Sequence, residues 1–393
     1  MRILHIVPTY LPAYRYGGPI YSVHELNKGL AKDGVEVTVY TTNIDGSNNL
    51  PVKMDIIDGV KINYFKSSFP RSWFYSKELK NALSENIKNF DLVHITSVFL
   101  SASYLGAKYS KKLNKPYIIS PRGSLIPELI SKKSSLLKKS YIKCIEGKNL
   151  SGASAIHFTT KYEEDMYKEL GLPLKKSIII PNGIDANINL SQNSQDDINF
   201  KQKFGIPENA KILLSLGRLN WKKGFDTLIP AFAEVVKEIS SAVLVVVGSD
   251  SDELGYKNKI EKLVDKYHLA KNIIFTGDLR DNDKAIAYKL SDVFVAPSYS
   301  ENFGISLVEA MSYGKPVVVT DAVGIASDIR EAGAGIVIKK NINELKKGIL
   351  ELFNDEKLRK ELGRRGRELV SKKYVWNEIV KNWITEYTKL VRK

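Results

Sequence analysis

Arg218 and Lys223 stand five residues apart in GRLNWKKGFDTLIPAF, immediately before a helix-like segment. A guanidinium fork plus an ammonium at a helix mouth can match several oxygens of a diphosphate at once and neutralise their charge. Further on, PSYSENFGISLVEAMSYGKPVVVT holds two carboxylates, Glu301 and Glu309, eight positions apart. The first falls in a loop and the second about a turn and a half into the next helix. One can accept hydrogen bonds from sugar hydroxyls while the other reaches a different group such as a ribose. Between them Asn302, Phe303 and Gly304 supply helix-start amides and a glycine that lets the backbone approach a ligand closely. Each feature alone has a plainer use, since lysines crowd this chain and helix carboxylates commonly face water.

Near the start, PTYLPAYRYGGPI ends in Gly17 and Gly18 followed by Pro19. Paired glycines at a helix start favour an anion such as phosphate, and proline suits the first helical turn. The loop is not G-x-G-x-x-G, which argues against a dinucleotide site. Asp250-Ser251-Asp252 follows VLVVVG and reads as a solvated turn, and His5, His24, His94, His157 and His268 lack metal-ligand spacing, so no metal is expected. Most of these histidines read as packed or surface groups.

The elements that must position these residues alternate. Strand-like runs rich in Val and Ile fall near 3–7, 36–41, 62–65, 92–95, 117–120, 155–158 and 177–180, with helical stretches over about 20–32, 77–88, 101–112, 136–149 and 162–170. The polar stretch after Pro181-Asn182-Gly183-Ile184-Asp185 reads as a linker. The pattern then resumes with strands near 212–216, 243–247, 273–276, 293–296, 317–320 and 335–338, and three helices close the chain between 342 and 391. The expected fold is α/β: two tandem Rossmann-like doubly wound domains whose facing strand ends line an interdomain cleft. The expected divisions are residues 1–183, 184–373 and a closing helix at 374–393.

A chain of 393 residues with 43% hydrophobic and 26% charged residues supports two cores and excludes disorder or a fibre for its bulk. The single cysteine, Cys144, can form no internal disulfide. MRILHIVPTYLP breaks at Pro8 too early for a signal peptide, and the apolar run 242–247 is far below the ~18 residues of a membrane span. A cytoplasmic location is expected. The net charge is +15, of which +10 lies in residues 1–185. Such a field recruits polyanions. Residues 131–148 carry six lysines against Glu146, with Leu136, Leu137, Tyr141 and Ile145 at helical spacing. This reads either as a basic amphipathic helix meeting an anionic membrane surface or as a packed helix with solvated lysines. Nucleic acid is not expected as a partner, because the lysines are not interleaved with aromatic stacking platforms.

The combination of Gly17-Gly18, the run from Gly217-Arg218 to Lys223-Gly224, and ENFGISLVE resembles the retaining GT-B glycosyltransferases of family four, over essentially the whole chain including PNGID and the final WNEIV helix. The resemblance implies transfer of a sugar from a nucleotide-diphosphate donor to a glycan or polyprenyl-diphosphate-linked glycan acceptor, without a cofactor. It makes residues 1–183 the acceptor side and 184–373 the nucleotide-sugar side, returns the helix at 374–393 to the first domain, and leaves His94, at a strand end, able to line the acceptor side. It puts Arg218 and Lys223 on the diphosphate, Glu309 on the ribose and Glu301 on hydroxyls of the transferred sugar. It also puts the amides of Asn302, Phe303 and Gly304 nearby, Gly277, Asp278, Leu279 and Arg280 beside the nucleobase, and Gly18 against the phosphates from the opposite domain. One departure stands out. Where many family members carry a histidine near the reacting carbon, SPRGSLIPEL has Arg122, which stays protonated and cannot act as a base. Its open roles are binding an anionic acceptor, stabilising charge on the leaving phosphate, or shaping an ordinary turn with Pro121 and Gly123. A sugar-nucleotide epimerase or phosphorylase on the same scaffold is the alternative activity.

Overall fold

The computed structural model describes residues 1–14, 18–131, 135–185, 194–250 and 255–392. The chain forms β1 (Arg2–Ile6), α1 (Gly18–Lys32), β2 (Glu36–Thr42), β3 (Ile44–Asp45), β4 (Asn48–Asn49), β5 (Met54–Ile57), β6 (Val60–Phe65), α2 (Lys77–Asn86), β7 (Leu92–Thr96), α3 (Ser101–Lys112) and β8 (Tyr117–Ser120). Next come α4 (Pro127–Ser131), α5 (Ser135–Tyr141), α6 (Gly147–Gly152), β9 (Ala155–Phe158), α7 (Lys161–Glu169) and β10 (Ser177–Ile179). The later part supplies α8 (Ser194–Phe204), β11 (Lys211–Leu216), α9 (Phe225–Glu238), β12 (Ala242–Val247), α10 (Tyr256–Lys266), β13 (Ile273–Gly277), α11 (Asp281–Leu290) and β14 (Val293–Ala296). It closes with α12 (Ile305–Ser312), β15 (Val317–Thr320), α13 (Ala326–Ala332), β16 (Gly335–Ile338), α14 (Ile342–Asn354), α15 (Glu356–Lys373) and α16 (Trp376–Val391).

Two compact units result: Met1–Gly183 with Trp376–Lys393, and Ile184–Val375. The first sheet has the order β10-β9-β8-β7-β1-β2-β6-β5, parallel throughout except for β5 against β6. The second, β13-β12-β11-β14-β15-β16, is wholly parallel. Helices on both faces are why a strand such as β12, AVLVVV, is buried along its entire length. In each sheet the strand order reverses once, between β1 and β7 and between β11 and β14, and the crevice beyond those strand ends is where such sheets bind ligands.

α16 belongs to the first core, where it buries Ile379, Val380, Trp383 and Tyr387. Gly29 on α1 makes that docking possible, because a Cβ there would lie 2.4 Å from Val380 Cγ2. β5 was not among the expected strands. It pairs with β6 across Asp58 and Gly59, both with positive φ (51° and 79°), the two-residue hairpin that Asp-Gly favours.

The expected continuous helix over 136–149 is broken. α5 and α6 are separated by a π-helical turn, Ile142–Glu146, whose extra residue per turn rotates Glu146 inward. Glu146 is completely buried, accepts from the Phe99 amide at 3.2 Å, and its carboxyl is pushed up by burial. It therefore does not face the lysines on the surface. Leu136 is exposed, and residues 132–134 lie outside the described residues. No helix among the described residues is long and apolar enough to cross a membrane.

Candidate active site

In the second unit, the three strands β11, β12 and β13 end on glycines laced by backbone bonds. Gly217 N–H donates to the Val247 carbonyl at 2.9 Å and Gly248 N–H to the Gly277 carbonyl at 2.9 Å. A Cβ on Gly248 would sit 2.0 Å from the Gly217 oxygen, so only glycine allows the strands to close here. Arg218 follows directly and is exposed. Asn220 then caps a short 3₁₀ turn, Trp221–Lys223, which swings the Lys223 side chain back over Gly217. Gly224, at φ +70°, starts α9 without a side-chain cap, and a Cβ there would collide with the Pro297 oxygen at 2.0 Å.

That contact joins this loop to the one after β14, its neighbour across the order reversal. Tyr299 N–H donates to the Lys222 carbonyl at 2.7 Å, and its hydroxyl donates to Asp226 at 3.0 Å and lies 2.8 Å from the Thr227 hydroxyl. Glu301 is fixed through its backbone, N–H to the Ala322 carbonyl and C=O from the Gly324 amide. Its side chain accepts from Lys223 Nζ at 2.7 Å, with both groups about a quarter exposed. Gly304, at φ +96°, opens α12 without a side-chain cap. The first-turn amides of α9 and α12 therefore come to the same crevice as an ammonium and a carboxylate.

Glu309, on α12, accepts from Lys284 Nζ at 2.7 Å through one oxygen and from the Tyr288 hydroxyl at 2.7 Å through the other. Lys284 and Tyr288, four apart on α11, share a helix face. Burial beside the Glu309 charge raises the Tyr288 pKa well above the ordinary tyrosine range, so the hydroxyl keeps its proton to donate. Sequence reasoning missed both residues. Their i, i+4 spacing was visible, but the neighbour they serve was not. Gly277, at φ +73°, and the exposed Arg280 lie just ahead of α11, with Leu279 partly packed on the core. The Phe303 ring is in the core, edge-on to Tyr374 at 5.7 Å, leaving only its amide for a ligand.

In the first unit, Gly18 begins α1 with open space around it, while Gly17 lies outside the described residues. So do Ser251 and Asp252; Asp250 accepts from the Lys257 amide at 3.4 Å. His94 does not line an open surface. It is wholly buried, stacked on His5 at 4.3 Å with ring planes 8° apart, because the β1–β7 register pairs these two residues.

Hydrogen bonding fixes the proton on each ring. His157 Nε2 lies 2.8 Å from the Ile180 carbonyl, which only accepts, so Nε2 carries the proton and Nδ1 accepts from the Ser120 hydroxyl at 2.8 Å. Ser120 Oγ then accepts from His94 Nε2 at 2.6 Å, and His94 Nδ1 from the Tyr387 hydroxyl at 2.7 Å. All three histidines are neutral: burial lowers His94 and His157 well below the ordinary range and pushes His5 down to about 4.

This chain runs under the loop that holds Arg122. Arg122 and Gly123 both have positive φ (54° and 76°), and Ser124 N–H closes the turn on the Pro121 carbonyl at 3.2 Å. Arginine in the left-handed region costs of order 1 kcal/mol, so the turn is held by its surroundings. Glu163 accepts from the Gly123 amide at 2.5 Å, and Arg122 Nη1 donates to Asn182 Oδ1 at 2.6 Å.

Comparison with known proteins fits this geometry. The family model "Glycosyltransferase Family 4" matches residues 16–188 and "Glycosyl transferases group 1" matches residues 196–369. An uncharacterized glycosyltransferase of Methanocaldococcus jannaschii is 30% identical over 295 residues, covering 75% of this chain and 74% of that one. The alpha-monoglucosyldiacylglycerol synthase of Streptococcus pneumoniae is 26% identical over 81% of this chain and 70% of its own length. The crystal structure of HepE from Anabaena in complex with UDP-glucose superposes with a TM-score of 0.78 at 19% identity, covering 99% of this chain and all of that one. Two doubly wound parallel sheets with this likeness define a glycosyltransferase of the GT-B fold. The chain belongs to the group 1 glycosyl transferases.

Proposed function

We propose that the enzyme moves a hexose, with retention of anomeric configuration, from a nucleotide-diphosphate sugar to a glycan or lipid-linked glycan acceptor in cell-surface polysaccharide synthesis. The observation that carries this reading is the meeting of Lys223 and Glu301 at 2.7 Å beyond the strand-order reversal of the second sheet, with Arg218 at the end of β11. Lys223, Arg218 and the first-turn amides of α9 match a diphosphate, whose negative charge grows as the anomeric bond breaks. Glu301 takes hydroxyls of the transferred sugar. Glu309, held by Lys284 and Tyr288, takes the ribose, and Gly277, Leu279 and Arg280 border the base. The bound UDP-glucose of HepE and the synthase relative support a nucleotide-sugar donor and a lipid-associated acceptor. Exposed Leu136 and the lysines of α5 and α6 suit a peripheral contact with an anionic membrane.

A thermal-shift screen with UDP, GDP and ADP selects the base, because a ligand bound only by the folded state raises its stability. Calorimetry with the selected nucleotide should show at least about tenfold weaker binding for Arg218→Ala and Glu309→Ala. Unchanged affinity in both would refute the assignment. Nucleotide release that needs no acceptor would favour an epimerase or phosphorylase instead.

A further inference from the structure

Arg122 is half-buried, and the way it is bound leaves one specific part of its guanidinium without a protein partner. Nη1, the nitrogen on the Cδ side, is taken by Asn182 at 2.6 Å. The opposite, side-on edge consists of Nε–H and Nη2–H, two parallel donors spaced to grip two oxygens of a carboxylate or phosphate. Neither makes a hydrogen bond to a described residue, and Nε is fully enclosed. Among the described residues no carboxylate pairs directly with this edge. Glu163 acts on Arg122 only at longer range, and its two oxygens accept from the Gly123 amide and from the Thr159 amide and hydroxyl, at 2.5, 2.8 and 2.9 Å. His94 and His157 are held neutral by the directed chain from Tyr387 to the Ile180 carbonyl.

A partly buried cation whose counter-charge, Glu163, makes no hydrogen bond to it is costly unless something else completes its donors. Here the protein spends further free energy to keep it in place, on a left-handed arginine locked by Gly123, Glu163 and Asn182. We infer that the side-on edge of Arg122 is a built oxyanion subsite that grips a phosphate or carboxylate during the reaction. This rests on the transferase reading above and extends it by naming a charged group that the enzyme must meet in its first unit. Two sources share this chemistry: an anionic group on the acceptor, or the diphosphate of the donor.

The test uses the full chain labelled with ¹⁵N-arginine, the Arg122 Nε–H signal being assigned by its loss in Arg122→Gln. Inorganic phosphate is titrated in, first alone and then with the enzyme saturated by UDP. The expected result is a saturable shift of that signal with phosphate and none with glucose. A phosphate response that survives UDP assigns the anion to the acceptor. A shift caused by UDP itself, which then blocks the response to phosphate, assigns it to the donor. Arg122→Lys keeps the charge but removes the two-donor edge, and should bind phosphate about tenfold more weakly. A signal indifferent to both phosphate and UDP, or an Arg122→Lys variant that binds phosphate as the wild type does, overturns the inference. The transferase reading is judged separately, since Arg218→Ala and Glu309→Ala weaken UDP binding whatever Arg122 does.

Discussion

Acidification from about pH 7.5 to about pH 5 is expected to cost the first unit stability through its buried histidines. His5 is completely buried, and loss of hydration holds its pKa down at about 4, with the Asn27 hydrogen bond opposing and the Arg122 charge adding. In the unfolded chain a histidine titrates near 6.5. Because the folded value lies below the unfolded one, the unfolded state takes the proton first as pH falls. The stability from keeping His5 neutral is therefore intact above about pH 6.5 and is lost progressively down to about pH 4. At pH 5 nearly all unfolded chains but only about a tenth of folded ones carry the proton, a loss of about 2 kcal/mol from this residue. His94 and His157 act in the same direction. Glu146 acts in the opposite one, since its raised pKa returns stability as pH falls. His5→Gln isolates the effect, because glutamine can still bond Asn27 and Thr96 but cannot titrate. Denaturant unfolding of both proteins at both pH values gives the difference of differences. The wild type should lose about 2 kcal/mol more than the variant; equal losses would refute the assignment of His5 as a buried neutral group.

Gly224→Ala adds a Cβ 2.0 Å from the Pro297 oxygen at φ +70° and should cost ~2 kcal/mol or more with weakened nucleotide binding, seen in melting and calorimetry. Gly255→Ala, also left-handed but in open space, is the control and should cost only ~1 kcal/mol. Tyr288→Phe removes one of the two donors to Glu309 and should weaken nucleotide binding about tenfold while leaving the circular dichroism spectrum unchanged. Trp383→Ala empties a fully buried site in the first core and should destabilise that unit by ~3–5 kcal/mol in denaturant unfolding.

The alternation of Val/Ile runs with helical stretches was enough to determine two doubly wound units, because strands covered on both faces must be apolar throughout. The loops after β11 and β14 were legible as candidate binding loops, since the fold class itself puts ligands beyond strand ends; Arg218, Lys223 and Glu301 lie within seven residues of those ends, and Glu309 lies on the helix that follows. Even the hairpin at Asp58-Gly59 was written in its dipeptide, though the flanking β5, four residues long, is too short to read alone. Partners distant in sequence were decided only by tertiary structure. Lys284 and Tyr288 meet Glu309 because α11 packs beside α12. His94 became a buried link rather than a surface group because the β1–β7 register stacks it on His5 and α16 returns to cover it. Glu146 turned inward because a π-helical turn shifted the helix face, which periodicity cannot show. Spacing fixes what is local along the chain, whereas a buried polar group is defined by whichever distant atoms come to satisfy it.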